Sequence, residues 1–358
     1  MRIKRREPIT DTNLLLIITV TIFVGMYALA MIVWGGGFLN PQQFLNIFNN
    51  NAHLIILSCG LTIVMIAGGI DISVGGLNLL VTLSCIVYLD DHSGSVIGAA
   101  GVALGVGLAF GLVQGVLISY LEMQPFIVTL AGMFFAKGVS TIIGGGPRTA
   151  TNEAFLEIKN WTLRLPGIGS YGKAGNFVPA KIELGMIIAL LVVAVIFIVL
   201  RWTRLGRNLY AIGGNSQSSL MLGINVKRTR FYSYFLCGLL AGIGGFVYLL
   251  HNGSGDPSNV APIEMHAIAA SIIGGSLLTG GVGNVVGTLL GVLSLKTITA
   301  IVVASGLTKP WWQSITTGAM LCFFIVLQSI VISRRGAGNA KLQFPPWLKF
   351  RRKKQPDE

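Results

Sequence analysis

Charged residues are scarce in this chain of 358 residues. They make up 11% of it, whereas soluble domains have about 25%. Hydrophobic residues reach 53%, and the mean hydropathy is +0.74. So few charges could not keep this much apolar surface in water, which argues against a cytosolic enzyme. The 47 glycines lie inside apolar runs, where membrane helices tolerate them, so a collagen-like or disordered chain is also excluded. The composition indicates an integral membrane protein.

Sequence patterns for catalysis and metal binding are missing as well. The four cysteines stand singly in apolar stretches, without CxxC or Cys/His spacing, as small buried side chains do. No HExxH motif accompanies Glu264 and His266, and no nucleophile–base–orienter set stands out. The chain has no GxxxxGK(S/T) phosphate loop. We therefore expect no bound metal or cofactor, no enzymatic activity and no ATP hydrolysis by this chain alone.

Long apolar stretches follow one another through most of the sequence. About 20 residues of helix cross a bilayer, because backbone groups cannot stay unpaired in hydrocarbon. This length predicts an all-α, polytopic membrane helix bundle with about ten transmembrane helices over residues 13–332. The glycine-rich third, eighth and ninth stretches could be broken or half helices. The ten stretches are roughly 13–36, 51–69, 74–89, 95–121, 125–143, 184–200, 231–251, 262–279, 283–304 and 312–332.

Most of the 26 Lys and Arg residues fall in three blocks beside these stretches. Ten spans place both termini on one side, and the positive-inside rule makes that side the cytoplasm. Six spans bring the chain back to the cytoplasm at Arg201, where the middle block begins. Membrane orientation therefore explains the net charge of +13 better than nucleic-acid binding does. The predicted segments outside the bundle are a basic cytoplasmic N-terminus (1–12), an outer loop (144–183), a cytoplasmic loop (201–230) and a basic cytoplasmic tail (333–358).

Two glycine-rich breaks interrupt the apolar stretches, at residues 67–76 and 272–284. Non-helical backbone at membrane depth is tolerated only inside protein or beside a water-filled cavity, and paired interruptions in two halves point to a transport pathway. Asp71 is an ionisable residue in the first break, so it could line a path, or equally cap the following helix. The candidate residues for the translocation path are Gly69, Asp71, Ser73, Gly75, Gly274, Gly275 and Gly280.

Ionisable residues near the apolar stretches leave a second function open. A secondary ion-coupled carrier could use Asp71 or Glu264 as a proton or sodium site. Such a carrier would transport without ATP and would stop when an ionophore collapsed the gradient. For Lys137 and Lys296, we expect the side chains to snorkel to the membrane interface.

The cytoplasmic loop 201–230 contains a short, partly apolar segment. Asn215 or Ser216 could cap a short helix that ends at Gly223. Its apolar side chains need cover, and the sequence contains no large cytoplasmic domain to provide it; they are Leu220, Met221, Leu222 and Ile224. The segment therefore predicts a docking site for a partner, unless it folds against the end of the bundle.

Small residues recur at a spacing of four within several apolar stretches. This spacing lets helix backbones approach closely in a membrane, so it predicts a packed bundle without indicating a function. The repeats are Gly107, Gly111 and Gly115; Gly283, Gly287 and Gly291; and Gly238 with Gly242.

Several motifs resemble the permease subunits of bacterial ATP-binding-cassette (ABC) sugar importers of the ribose type. They are GGIDISVGG (68–76), QPFIVTLAGMFFAKGVS (124–140), TRLGRNLYAIGGNSQSSLMLGINVKRTRFYSY (203–234), AIAASIIGGSLLTGGVGNVVGTLLG (267–291) and the PWW…LQ terminus (310–328). The likeness covers roughly residues 13–332. Within that family, the sequence looks closest to a galactofuranose importer permease.

The resemblance implies a ten-helix permease in the bacterial inner membrane. It also implies a second permease subunit, which is a different chain in the galactofuranose branch. A cytoplasmic ABC ATPase would use ATP with Mg, and an extracytoplasmic binding protein would deliver a monosaccharide. The loop that would dock on the ATPase contains Gly213, Gly214, Asn215, Leu220, Gly223 and Ile224.

Overall fold

The computed structural model describes residues 11–171, 177–257 and 262–336. Within these ranges the chain forms fourteen α-helices, one short 3₁₀ helix (Gly35–Gly37) and four short strands. The helices are α1 (Asp11–Trp34), α2 (Pro41–Asn49), α3 (Ala52–Ile66), α4 (Val74–Asp90), α5 (Val96–Ser119), α6 (Pro125–Gly144), α7 (Glu153–Asn160), α8 (Leu184–Trp202), α9 (Arg204–Gly214), α10 (Ser216–Met221), α11 (Val226–Asn252), α12 (Ile263–Ile273), α13 (Val285–Ala304) and α14 (Pro310–Gly336).

Seven of these helices are long and apolar enough to cross a membrane, namely α1, α5, α6, α8, α11, α13 and α14. The pair α2 and α3, bent by 52°, makes an eighth if it counts as one span. Helices α4 and α12 are apolar but shorter, with 17 and 11 residues. The chain is thus an all-α polytopic membrane protein. A count of ten requires α4 and α12 to cross as well.

Both predicted breaks are non-helical, at residues 67–73 and 274–284. The eighth predicted stretch contains only the 11-residue helix α12, as expected of a half helix. The ninth forms a continuous 20-residue helix, α13.

Local capping residues set the ends of several helices. The Ser95 side chain accepts a hydrogen bond from the Gly98 N–H (3.1 Å), and the Asn284 side chain accepts one from the Val286 N–H (3.0 Å). These bonds satisfy amide groups that have no partner within α5 and α13. Helix α11 ends at Gly253, whose φ of +71° suits glycine at a left-handed helix end.

One end of the bundle, called the first face, gathers four connections. They are residues 67–73, 120–124, 203–225 and 274–284. The Lys227 Nζ lies 2.6 Å from the Glu122 Oε1, and the Tyr210 hydroxyl donates to the Gly283 carbonyl at 2.8 Å. These contacts hold segments from distant parts of the sequence together.

The opposite end, called the second face, gathers residues 35–51, 91–95, 145–171, 177–183, 253–257 and 305–309. The Arg148 guanidinium lies 2.7 Å from the Asp91 carboxylate, and the His251 Nδ1 lies 2.7 Å from the Glu183 carboxylate. The ends of α1 and α13 border one cavity at this face.

Four short strands lie at the second face, and the sequence analysis did not predict them. They are β1 (Arg148–Thr149), β2 (Thr162–Tyr171), β3 (Phe177–Glu183) and β4 (Ser254–Gly255). They form two antiparallel pairs, β1 with β4 and β2 with β3. The pairs lie in connections outside the apolar helices, so the bundle itself is all-α.

Helix α3 occupies the centre of the bundle. Fourteen of its fifteen residues are buried, which is expected of a helix that is apolar all round. Helices α1 and α14 lie at the periphery, where only 17% and 11% of their apolar windows are buried.

Helices α5 and α11 touch through their backbones along a row of glycines, the glycine seam: Gly107, Gly111, Gly238 and Gly242. A methyl group on Gly107 would lie 2.5 Å from the Gly238 carbonyl oxygen, and one on Gly238 would lie 2.5 Å from the Gly111 Cα. Real carbon atoms do not approach this closely. The predicted packing through small residues is therefore confirmed for these two helices.

Candidate functional site

The two breaks meet each other and the end of α9 at the first face. The Gly281 N–H donates a hydrogen bond to the Ile66 carbonyl across 2.9 Å. Gly213 packs against this bond, because a methyl group there would overlap the Ile66 oxygen and lie 2.5 Å from the Gly281 nitrogen. A methyl group on Gly280 would lie 2.8 Å from the Gly68 Cα. We call Gly68, Gly213, Gly280 and Gly281 the glycine junction.

The two breaks also begin with the same backbone geometry. Gly68 has φ of +80°, and Gly275 has φ of +92°. The amides of Gly69 and Ser276 each bond back five residues, to Val64 and Ser271, at 3.0 Å. Helices α3 and α12 therefore end in the same left-handed cap, which gives the compositional likeness of the two breaks a structural basis.

Asp71 is buried and bonds mainly within its own turn. Its Oδ1 accepts hydrogen bonds from the Ser73 N–H (2.9 Å) and the Ser73 hydroxyl (2.6 Å). These bonds organise the turn that leads into α4, as a capping residue does. The Ser73 hydroxyl also lies 3.2 Å from the Gln114 Oε1, and no described group bonds the Gln114 Nε2. Helix α5 thus places a side-chain amide with spare hydrogen-bonding capacity beside the first break.

An ion pair between a half-buried lysine and a buried glutamate joins α6 to the first turn of α12. The Lys137 Nζ lies 3.5 Å from the Glu264 Oε1, and Glu264 is 5% exposed. The carboxylate packs directly on Gly75, and its Oε2 has no hydrogen-bond partner among the described residues. The N-terminal end of α12 favours the negative charge through the helix dipole. The expectation that Lys137 snorkels to the interface is therefore wrong, because an acid distant in sequence lies beside it.

The predicted short helix of the cytoplasmic loop is confirmed. The Asn215 side chain accepts a hydrogen bond from the Ser218 N–H (2.9 Å) and begins α10, and Gly223 follows it with φ of +80°. Three apolar side chains of this segment remain uncovered: Leu220 is 65% exposed, Met221 87% and Leu222 80%. Gly213 and Gly214, assigned to the same loop, instead end α9 at the glycine junction.

Helix α9 was missed by the sequence analysis, although its signature is present. The Thr203 side chain accepts a hydrogen bond from the Gly206 N–H (3.2 Å) and caps the helix. Leu209 and Ile212 are buried on one side of it. The spacing of these residues after a capping threonine is the pattern that could have predicted α9.

A groove of about 850 Å³, the first-face groove, lies beside α10. Its walls come from α10, the start of α11 and the connection between α5 and α6, and they include Leu220, Ile224 and Arg230. At its rim, a hydrogen bond from Lys227 and the charge of Lys227 hold the pKa of Glu122 below its ordinary value. The groove combines apolar walls with a charged rim.

Among the described residues, no group of three His, Cys, Asp or Glu side chains could hold a metal ion. The site therefore consists of backbone contacts between the breaks, two buried carboxylates and an exposed apolar helix. Backbone contacts join the two breaks to the end of α9, and both carboxylates are buried.

Comparison with known proteins identifies the family. Residues 43–325 match the family described as "Branched-chain amino acid transport system / permease component". The inner membrane ABC transporter permease protein YjfF of Escherichia coli is 34% identical over 316 residues, which cover 88% of this chain and 92% of that protein. The fructose import permease protein FruG of Bifidobacterium longum is 33% identical over 320 residues, covering 88% and 91%.

The ribose import permease protein RbsC of Escherichia coli is 34% identical over 258 residues, covering 72% of this chain and 77% of that protein. No solved structure matches the chain. Such permeases are transport components rather than enzymes, and they are multi-pass proteins of the bacterial inner membrane. The identities, the coverage and the apolar helices together establish that this chain belongs to the family of ABC importer permeases of the ribose type.

Proposed function

We propose that this chain is one membrane-spanning subunit of an ABC importer that translocates a monosaccharide across the inner membrane. The names of its relatives support a sugar as the solute, since they specify ribose, fructose and galactose. Galactofuranose is the first sugar to test, because the motifs of this sequence look closest to that branch. A cytoplasmic ABC ATPase would hydrolyse ATP with Mg. A second permease subunit, a different chain, and an extracytoplasmic sugar-binding protein would complete the importer.

In this proposal the chain crosses the membrane ten times, with both termini and the first face in the cytoplasm. The connections alternate between the two faces along the chain, which supports crossings by α4 and α12. The first face carries six basic residues in its loop 201–230, which supports its cytoplasmic placement. The 144–183 loop, with its strands β1, β2 and β3, would then face the binding protein.

The observation that carries the proposal is the exposed helix α10. Leu220, Met221 and Leu222 form an apolar patch at the rim of the first-face groove. Uncovered apolar patches of this kind mark binding surfaces. An ATPase that seated a complementary apolar surface here would cover all three side chains.

The glycine junction supplies the mechanical connection. Asn215 caps α10 and directly follows Gly214, so a push on α10 reaches α9 without an intervening loop. Gly213, at the end of α9, in turn packs against the hydrogen bond between the Gly281 N–H and the Ile66 carbonyl. Movement of the ATPase would thereby alter both breaks together, and with them the turn of Asp71 and the pair of Glu264 with Lys137.

The test is affinity purification of the tagged chain from its native host in mild detergent, followed by mass spectrometry. We expect a phosphate-loop ATPase and a second permease to be retained. Gly223→Pro should abolish retention of the ATPase, because proline fixes φ near −65° whereas Gly223 has φ of +80°. Leu222→Asp should weaken it, and Leu163→Asp, an exposed leucine on the second face, is the matched control.

Intact association and sugar uptake in Gly223→Pro would overturn the assignment of residues 213–224 as the segment that couples the permease to the ATPase, here called the coupling segment. Recovery of the chain alone in several detergents would instead favour the secondary carrier. Uptake would then be indifferent to ATP, and Asp71 and Glu264 would be the first residues to replace.

A further inference from the structure

A second cavity, the Lys296 groove, lies at the second face and has a volume of about 580 Å³. It is bounded by the end of α1, by α2 and by the last half of α13. The side chains in its walls that can form hydrogen bonds are Trp34, Gln43, Asn46, Asn50, Asn51, Lys296 and Thr299. Small-molecule sites in proteins are of this size, with a few polar groups in a mainly apolar wall.

Lys296 is the only cation in the wall of this groove, and no described carboxylate lies within 4 Å of it. The titratable side chains that interact with it are His53 and His266, and a histidine ring cannot neutralise an ammonium. An unpaired charge inside a membrane protein is costly, so an anionic partner from outside the described chain is expected.

The position of Lys296 fits a ligand at the membrane surface. It lies eight residues before Ala304, the end of α13, so the groove descends about 12 Å from that end. Trp34 borders the groove at the end of α1, and tryptophan is typical of the membrane–water interface. A lysine side chain can extend toward that interface along apolar surface.

The surface around the mouth is apolar. Ile32 is 84% exposed, Val33 59% and Val303 42%. An acyl chain can pack along these side chains while its headgroup enters the groove. A free anion would leave this apolar surface uncovered, so the surroundings favour a lipid.

We propose that the Lys296 groove binds the phosphate headgroup of an acidic phospholipid in the leaflet at the second face. The ammonium of Lys296 pairs with the phosphate. The amides of Gln43, Asn46 and Asn50 and the hydroxyl of Thr299 contact the remaining headgroup oxygens. This site is separate from the coupling segment, the glycine junction and the two breaks.

The experiment is lipid titration of the purified full-length chain, followed by native mass spectrometry. The probes are palmitoyl-oleoyl phosphatidylglycerol, the matching phosphatidylcholine and inorganic phosphate. We expect phosphatidylglycerol to bind more tightly than phosphatidylcholine. Lys296→Met should weaken phosphatidylglycerol by roughly tenfold or more, the loss expected for one hydrogen bond to a charged group. Lys296→Arg should retain it.

Lys309→Met is the matched control. Lys309 is exposed at the same face and lies over the Trp311 ring at 5.9 Å, outside the Lys296 groove. Its replacement should leave the lipid preference unchanged. Thr299→Leu narrows the groove without removing charge and should also weaken phosphatidylglycerol.

Equal binding of phosphatidylglycerol by the wild type and Lys296→Met would overturn the proposal. Tighter binding of inorganic phosphate than of phosphatidylglycerol would identify a soluble anion and overturn the assignment to lipid. Neither result depends on sugar uptake or on the ATPase, so the proposed transport function is tested separately.

Discussion

Replacement of Gly213 by alanine tests whether the glycine junction carries movement from the ATPase to the breaks. The added methyl group would overlap the Ile66 carbonyl oxygen and crowd the Gly281 nitrogen. Both are backbone atoms, so no side chain can rotate away to make room. The 2.9 Å bond between Gly281 and Ile66 must lengthen or break.

The expected cost follows from these two effects. Overpacking in a well-packed interior costs about 1–3 kcal/mol, and loss of one hydrogen bond costs about 1 kcal/mol. The closed junction of Gly213→Ala should therefore be destabilised by about 2–4 kcal/mol. Each 1.4 kcal/mol changes an equilibrium constant tenfold. The population of the junction with the Gly281–Ile66 bond intact, relative to the junction with that bond broken, should therefore fall by roughly 30-fold or more.

The assay is ATP-dependent sugar uptake by the reconstituted importer, with ATPase retention measured on the same preparation. Gly213→Ala should lower uptake by about tenfold or more while the ATPase stays bound, because the exposed residues of α10 are unchanged. Gly214→Ala is the matched control, since a methyl group there meets no atom within 4 Å. Wild-type uptake by Gly213→Ala, or equal damage from Gly214→Ala, would refute a role for the junction.

Three further predictions concern buried and surface charges. Lys137→Met should destabilise the chain by about 3 kcal/mol, because Glu264 would stay buried without its partner. Glu264→Gln in the same chain should restore most of this loss. Thermal unfolding in detergent measures both effects, and equal stability of the single and double variants would contradict the pairing. Gly75→Ala should displace the Glu264 carboxylate and lower sugar uptake, so that an unchanged KM and maximal rate would argue against this position in the path. Lys227 holds the pKa of Glu122 in the folded protein below its ordinary value of 4.5. The ion pair therefore stabilises the fold at pH values above 4.5, and this stabilisation is lost as the pH falls through the lowered pKa of the folded protein. The difference in unfolding temperature between wild type and Glu122→Gln should thus be constant from about pH 6 to pH 8 and vanish in acid; a difference that persisted in acid would exclude the ion pair as its cause.

Features that depend on local chemistry could be predicted from the sequence. The cap of α10 at Asn215 and its end at Gly223 follow from short-range hydrogen bonding and from the freedom of glycine at positive φ. Close helix packing also follows from glycines at a spacing of four, although this spacing does not specify that α5 meets α11. Both breaks are non-helical for the same reason, since clustered glycines weaken a helix.

Features that depend on distant pairs could not be predicted. Lys137 and Glu264 lie on different helices, and nothing in the surrounding residues indicates that they meet. Gly213 was assigned to the docking loop, but its contacts with Ile66 and Gly281 arise only once three separate segments have packed. The number of transmembrane helices is also hard to predict from hydropathy, because hydropathy does not show that the eighth apolar stretch has only 11 helical residues.

The glycine seam has a consequence for how displacement travels through the protein. Helix α11 has 27 residues and is about 40 Å long, and it runs from Val226, just after the coupling segment, to Asn252 beside β4. At the glycine seam it touches α5 through backbone atoms, so no side chain lies between the two helices there to absorb a shift. Helices α5 and α11 should therefore move as one rigid unit, so that a tilt imposed at one membrane surface also displaces their ends at the other surface. Helix α14 instead packs through side chains such as Phe324 and Gln328, which can adjust more easily than the backbone contacts of the seam.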